Sequence, residues 1–146
     1  MVFNKAAKRL LETVGKLEVV LHDWWMYQLV SAVGGAIHYD PQPTLKYRQH
    51  PGNLIGSNLG WGARLVRIRM MLKGRFRDWN TMNIAALQRV PAHLIKPQNI
   101  QVLQLFAKAR TAQLPMRLYY LKRSGVYRRS LIGNIGLLVA TLLKRI

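Results

Sequence analysis

The stretch LHDWWMYQLVSAVGGAIHYDPQPTLKYRQHPGNLIGSN, residues 21–58, decides the fold that we predict for this chain. Segments with helical spacing alternate in it with turn-forming segments. Asp23 lies there between a histidine and two tryptophans, in a chain that has only five acidic residues. A second polar cluster, YRQH at residues 47–50, follows shortly after it. These two groups are the first candidates for chemistry.

The segments of residues 1–58 predict a small α/β unit. Apolar residues recur at helical spacing in KAAKRLLETVGKL and WWMYQLVSAVGG, with Gly15 and the Gly34-Gly35 pair as helix stops. Three short segments are predicted to be strands: VFN at residues 2–4, AIHYD at 36–40 and TLKYRQH at 44–50. The expected fold class for this part is therefore an α/β fragment.

Residues 59–146 have a different pattern. They contain successive basic amphipathic segments with helical spacing, interrupted at PAHLIKP and at Pro115. The chain is therefore predicted to be mainly α overall, with the α/β fragment at 1–58 followed by a basic helical tail at 59–146.

The charge is unevenly distributed. Residues 1–50 carry six basic and four acidic groups, a net charge of +2, whereas residues 51–146 carry seventeen basic groups and one acid, a net charge of +16. The second part therefore suits an anionic partner. The apolar half of the composition excludes a disordered chain, and the absence of cysteine excludes disulfides and thiolate metal sites.

No targeting or membrane-spanning segment is predicted. The N-terminal segment is charged and amphipathic, unlike a secretory signal. The longest apolar run, LIGNIGLLVATLL at residues 131–143, is shorter than the roughly 20 residues that a spanning helix needs. We expect this run to be a helix that lies on a surface.

Asp23 and the two tryptophans allow two interpretations each. Asp is a preferred helix N-cap, and a helix is predicted to begin here. A carboxylate between bulky apolar rings is also partly desolvated, which makes it a better proton acceptor. Trp24 and Trp25 cannot share one helix face, so one can pack inward while the other forms a platform for a sugar ring or a base. Two core tryptophans are the simpler alternative.

The segment YRQHPGN is rich in hydrogen-bond donors. Arg48 offers a planar fork that suits phosphate or carboxylate, and His50 can ligate a metal or donate to a phosphate oxygen. Gly52 and Asn53 allow a tight return of the backbone. A solvated loop with one salt bridge is the alternative.

These motifs together resemble the family 2 glycosyltransferases of bacterial cell-surface polysaccharide synthesis, in particular their rhamnosyltransferase-like group. The resemblance covers residues 1 to about 58 and is carried by HDWW at 22–25, the Gly34-Gly35 stop, the segment 39–43, and YRQH followed by Asn53 and Gly56. The basic tail is similar to tails of the same group. The resemblance implies a GT-A fold and the inverting transfer of a sugar from a nucleotide-sugar to a hydroxyl of a cell-surface polysaccharide or lipid-linked acceptor.

The resemblance also implies roles for individual residues. Asp23 would be the catalytic base that deprotonates the acceptor hydroxyl. Substrate-binding roles are implied for His22, Trp24, Trp25, Arg48, Gln49, His50 and Asn53. A divalent cation, Mg²⁺ or Mn²⁺, is implied as cofactor, with His50 as its one candidate ligand in this chain.

The chain departs from that family in one respect. Such enzymes carry a nucleotide-binding half with an Asp-x-Asp metal motif before this region, and the chain contains no Asp-x-Asp. We therefore expect residues 1–58 to be the C-terminal, acceptor-side part of a GT-A catalytic domain. Its source would be a truncated gene, a split gene or an excised fragment, and it would be inactive without the missing half.

Three environments are possible for the basic tail: an anionic membrane, nucleic acid or solvent. Basic amphipathic helices suit an anionic membrane, where lipid-linked acceptors reside, so we expect a cytoplasmic protein peripheral on the inner face of the cell membrane. The residues expected along the lipid are Trp61, Phe76, Trp79 and Tyr119. Nucleic acid is the rival partner, because arginine-rich helices also suit phosphate backbones, and a solvated helix face is the plainest alternative. Without catalysis, the protein would be a nucleic-acid-binding or membrane-surface accessory protein and Asp23 a helix cap.

Overall fold

The computed structural model describes residues 1–40, 42 and 61–146, apart from the side chains of Trp61, Ala63 and Arg64. All regular structure in these ranges is helical. The elements are α1 (Lys5–Val14), α2 (His22–Ala32), α3 (Trp61–Leu72), α4 (Arg75–Arg89), a 3-10 turn (Ala92–Leu94), α5 (Pro97–Thr111), α6 (Met116–Ser124) and α7 (Leu131–Leu142).

The predicted α/β fragment is wrong for the described part of the chain. Neither residues 2–4 nor residues 36–40 form a strand, and residues 44–50 lie outside the described ranges. A strand needs a neighbouring strand for its hydrogen bonds and a face to bury. Ile37 and Tyr39 are exposed instead, and no described segment pairs with theirs. The GT-A sheet implied by the resemblance is thus absent from these residues.

The predicted helix stops are confirmed. α1 begins after Asn4, whose side-chain oxygen accepts a hydrogen bond from the Ala7 amide at 3.0 Å, and ends at Gly15 with a φ of 74°. α2 ends before Gly34, whose φ is 77°. The positive φ favours glycine at this position, and the end of the Lys96 side chain lies close to it.

The first core lies between α2, α4 and the segment that follows α4. Its buried residues are Trp25, Leu29, Ala86, Val90 and Ile95. α1 and the chain after it cover one edge with apolar side chains: Leu10, Leu11, Val14, Leu17 and Val19. Leu29 is fully buried, so α2 is fixed through its inner face.

The second core lies between α5, α6 and α7. Its buried residues are Ala109, Leu121, Ala140 and Ile146, with Met71, Phe106, Tyr120 and Leu137 packed against them. Two of the four buried residues are alanines, which contribute little apolar area. Polar contacts therefore matter for holding these helices together.

Arg117 of α6 supplies those contacts. Only 6% of it is exposed. Its Nε donates to the Ala112 carbonyl at 3.0 Å, and its Nη1 donates to the carbonyls of Thr141 at 3.0 Å and Leu142 at 3.3 Å. These carbonyls lie at the C-terminal ends of α5 and α7, where intrahelical donors run out and the helix dipole favours a cation. One guanidinium therefore joins three helices.

Arg110 makes a similar link from α5. Its Nε donates to the Ile146 main-chain oxygen at 3.0 Å, and its Nη2 donates to the Arg77 carbonyl at 2.7 Å and to Thr81 Oγ1 at 2.6 Å. Burial, followed by the positive charge of Arg77, lowers the pKa of Arg110, and Asp78 opposes this shift. An arginine stays protonated in proteins, so the link persists at neutral pH.

Arg117→Met tests the role of the buried guanidinium. The substitution keeps an unbranched side chain but removes three hydrogen bonds and leaves the Ala112 and Leu142 carbonyls without their described donor, so we expect the free energy of unfolding to fall by about 2–4 kcal/mol. Urea unfolding followed by circular dichroism measures the change. The control is Arg123→Met, an exposed position on the same helix, where we expect a change within about 0.5 kcal/mol. Equal losses in the two variants would contradict the assignment.

Candidate functional site

The first turn of α2 carries four of the predicted site residues: His22, Asp23, Trp24 and Trp25. The helix begins at His22, one residue before the predicted cap, and its N-cap Leu21 makes no side-chain hydrogen bond. Trp25 is buried in the first core together with Leu29. The turn is therefore anchored from its inner side, while His22 and Asp23 are exposed.

Asp23 occupies the second position of the helix rather than the N-cap. Its Oδ1 accepts a hydrogen bond from the Trp24 amide at 2.9 Å, which satisfies one of the free amides of the first turn. Its negative charge is favourable at this end of the helix dipole. The side chain is exposed, so the desolvation expected from the flanking rings is not found. Asp23 therefore exposes its carboxylate to solvent, while the Trp24 amide holds one of its oxygens in place.

Trp24 packs against an aromatic residue of α4. Its ring meets Trp79 edge to face, with centroids 5.5 Å apart and an interplanar angle of 77°. Phe76 meets the same Trp79 ring at 5.5 Å, and the Arg75 guanidinium lies 5.7 Å from its centroid. We call Trp24, Phe76 and Trp79 the aromatic cluster. Its position beside Asp23 was not predicted.

The burial of the aromatic cluster bears on the expectation that aromatic residues of the tail lie along a lipid surface. Trp79 is buried, so it does not lie along a lipid surface as expected, and Phe76 is half-buried. Tyr119 is exposed, and the side chain of Trp61 lies outside the described part. The spacing of Phe76 and Trp79, three residues apart in a helix, was the available signal for a shared face. It does not reveal which helix that face meets.

The C-terminal end of α2 is held by α5. Asn99 Nδ2 donates to the carbonyls of Ser31 at 3.0 Å and Ala32 at 2.9 Å, and the Lys96 amide donates to Ala32 at 3.1 Å. These bonds satisfy carbonyls that have no donor within the helix. α2 is thus fixed at its end as well as on its inner face, and sequence reasoning missed Asn99 altogether.

The other predicted site residues cannot be placed relative to Asp23. Arg48, Gln49, His50 and Asn53 lie outside the described residues. Within residues 1–40, 42 and 61–146, no three His, Cys, Asp or Glu side chains are grouped as a metal site would need.

Two cavities lie away from the first turn of α2. One of about 480 Å³ lies between α6 and α7 and is lined mainly by apolar side chains, including Leu118, Leu121, Leu137 and Leu138. A smaller one of about 190 Å³ lies along α4 next to Glu18. Neither cavity includes a predicted site residue.

Comparison with known proteins indicates a glycosyltransferase-like relationship. A segment of 60 residues is 30% identical to dTDP-rhamnosyl transferase RfbG of Shigella flexneri. That segment is 41% of this chain and 21% of the relative, so the chain spans about a fifth of the length of the curated protein that it matches. No family model matches the chain. No solved structure matches it.

Asn99→Ala tests how firmly α2 is held. The substitution removes two hydrogen bonds from the end of the helix, and we expect a loss of about 1–2 kcal/mol in the free energy of unfolding. Amide hydrogen exchange is expected to show faster exchange in α2. The control Gln98→Ala changes an exposed neighbour and should leave the exchange of α2 unchanged. Unaltered protection of α2 in the Asn99 variant would refute the assignment.

Proposed function

We propose that this chain supplies the acceptor-side part of an inverting glycosyltransferase, with Asp23 as its catalytic base. The observation that carries the proposal is the 30% identity over 60 residues with a dTDP-rhamnosyl transferase. Because the chain spans about a fifth of that relative, the proposal includes a further segment that binds the nucleotide-sugar donor. Without that segment the chain does not turn over.

The proposed reaction is a direct displacement at the anomeric carbon of the sugar. Asp23 accepts the proton of the acceptor hydroxyl while the hydroxyl oxygen forms a bond to the anomeric carbon. The bond between that carbon and the diphosphate oxygen breaks, and the leaving nucleoside diphosphate takes the electron pair. Attack from the face opposite the leaving group inverts the configuration. Positive charge beside the diphosphate stabilises the leaving group.

The position of Asp23 supports this role. One carboxylate oxygen is oriented by the Trp24 amide at 2.9 Å, and the exposed side chain leaves room for an acceptor to approach. α2 is anchored by the first core and by Asn99 of α5. A base on a rigid helix start can keep a fixed geometry relative to a bound acceptor.

The neighbours of Asp23 differ in burial, and we assign them different roles accordingly. His22 is exposed and Trp24 is half-buried, so in this proposal both contact the acceptor, with Trp24 under an apolar face of a sugar ring. Trp25 is buried, and its proposed part is to anchor the turn. On the donor side, the proposal assigns Arg48 and His50 to the diphosphate and Gln49 and Asn53 to further donor contacts. No step is routed through a metal ion.

A complementation experiment tests the proposal. The whole 146-residue chain is co-produced with the part of RfbG outside the aligned segment, and rhamnose transfer from dTDP-rhamnose is measured with native RfbG as the positive control. We expect transfer to require both polypeptides. Asp23→Asn removes the base but keeps the shape, so the rate should fall by about 10²–10⁴-fold.

The matched control is Asp40→Asn, which neutralises another exposed carboxylate outside the proposed site. Its rate should stay within about twofold of the unsubstituted pair, because charge alone does not make a base. Circular dichroism checks that both variants fold. Equal rates for Asp23→Asn and the unsubstituted pair would overturn the assignment of Asp23. Folded, associated polypeptides without transfer would count against the transferase function.

A further inference from the structure

Helix α7 has one apolar face that no described part of the chain covers. Its inner face packs on the second core through Leu137, Ala140 and Thr141. Leu131 and Ile132 of the other face are 83% and 71% exposed. The outer face, which we call the α7 stripe, consists of exposed side chains at helical spacing: Leu131, Ile132, Ile135, Val139, Leu142 and Leu143.

The start of α7 is a well-defined structure. Ser130 caps the helix, with its Oγ accepting from the Gly133 amide at 3.1 Å. Asn134 bonds Arg128 in both directions, since its Oδ1 accepts from the Arg128 amide at 2.7 Å and its Nδ2 donates to the Arg128 carbonyl at 2.8 Å. The α7 stripe is therefore a formed helix face beside an ordered basic segment.

Groups typical of a membrane interface flank the α7 stripe. Tyr127, Arg128 and Arg129 precede it and Lys144 follows it, and all four are exposed. Tyr127, at 81% exposure, has an apolar ring and a polar hydroxyl, a combination that suits the headgroup level of a bilayer. Basic residues at that level attract anionic lipid headgroups.

Charge distinguishes between the candidate occupants of the α7 stripe. Residues 79–146 contain eleven Lys and Arg residues and no Asp or Glu. A second copy of the chain would bring the same cations against these, which is repulsive. Nucleic acid would neutralise the cations but leave the apolar side chains exposed. An anionic lipid surface matches both features.

We infer that α7 docks on an anionic membrane, with the α7 stripe toward the acyl chains and Tyr127, Arg128, Arg129 and Lys144 among the headgroups. Among the described residues no helix is long and apolar enough to cross a bilayer. α7 has 12 residues, about 18 Å at 1.5 Å per residue, so it lies flat in the interface. This inference does not depend on the transferase function.

Vesicle binding tests the inference. The whole chain is sedimented with vesicles of phosphatidylcholine and phosphatidylglycerol, and separately with vesicles of phosphatidylcholine alone. We expect strong binding to the anionic vesicles, weaker binding to the neutral ones, and a decrease as salt is added. The double substitution Ile132→Gln with Ile135→Gln removes two exposed apolar side chains and should weaken the binding by about tenfold.

The matched control is Leu65→Gln with Ile68→Gln, which changes two exposed apolar residues of α3. Circular dichroism checks the fold of both variants, and the control should bind within about twofold of the unsubstituted chain. The inference is overturned if the α7 variant binds as the unsubstituted chain does, if the control weakens binding equally, or if the chain does not prefer anionic vesicles. Analytical ultracentrifugation measures the oligomeric state of the chain and of both variants. If the chain does not bind vesicles but forms a dimer, and only the α7 variant is monomeric, the α7 stripe is an interface with a second copy.

Discussion

A buried guanidinium whose described partners are all main-chain carbonyls holds the second core together. Arg117 donates to Ala112, Thr141 and Leu142 and thereby joins α5, α6 and α7. The apolar part of this core is small, because alanines fill two of its four buried positions. With 23 basic and 5 acidic residues, the chain cannot pair most of its cations with carboxylates. Carbonyls at helix ends are the acceptors that remain available, and they complement the cation through the helix dipole.

The helices of the described part were more predictable than its extended segments. Helical spacing and glycine stops are local properties, and Gly15 and Gly34 end α1 and α2 as predicted. A strand depends on a partner strand, which the local pattern of residues 36–40 cannot specify. No segment that the structure describes pairs with residues 36–40, which are irregular and exposed.

The candidate site was predictable only in its local part. Adjacent tryptophans on a helix must point apart, and Trp25 indeed packs inward while Trp24 stays half-exposed. The contact of Trp24 with Trp79 and the bonds from Asn99 to the end of α2 join segments distant in sequence, so no spacing rule could predict them. The relation of Asp23 to Arg48 and His50 stays a prediction. The structure adds how α2, which carries Asp23, is anchored in the first core and by Asn99 of α5.

The partners of Arg117 have a consequence for how this sequence can diverge. Every residue type offers a main-chain carbonyl, so the exposed position 142 can change identity while the joint between the helices persists, whereas the side chain of Thr141 is fully buried. At Leu142 the carbonyl accepts a hydrogen bond from the Arg117 guanidinium, while the side chain is exposed. The outer face of α7 can therefore change in sequence without loss of the bonds from Arg117, because those bonds use main-chain oxygens.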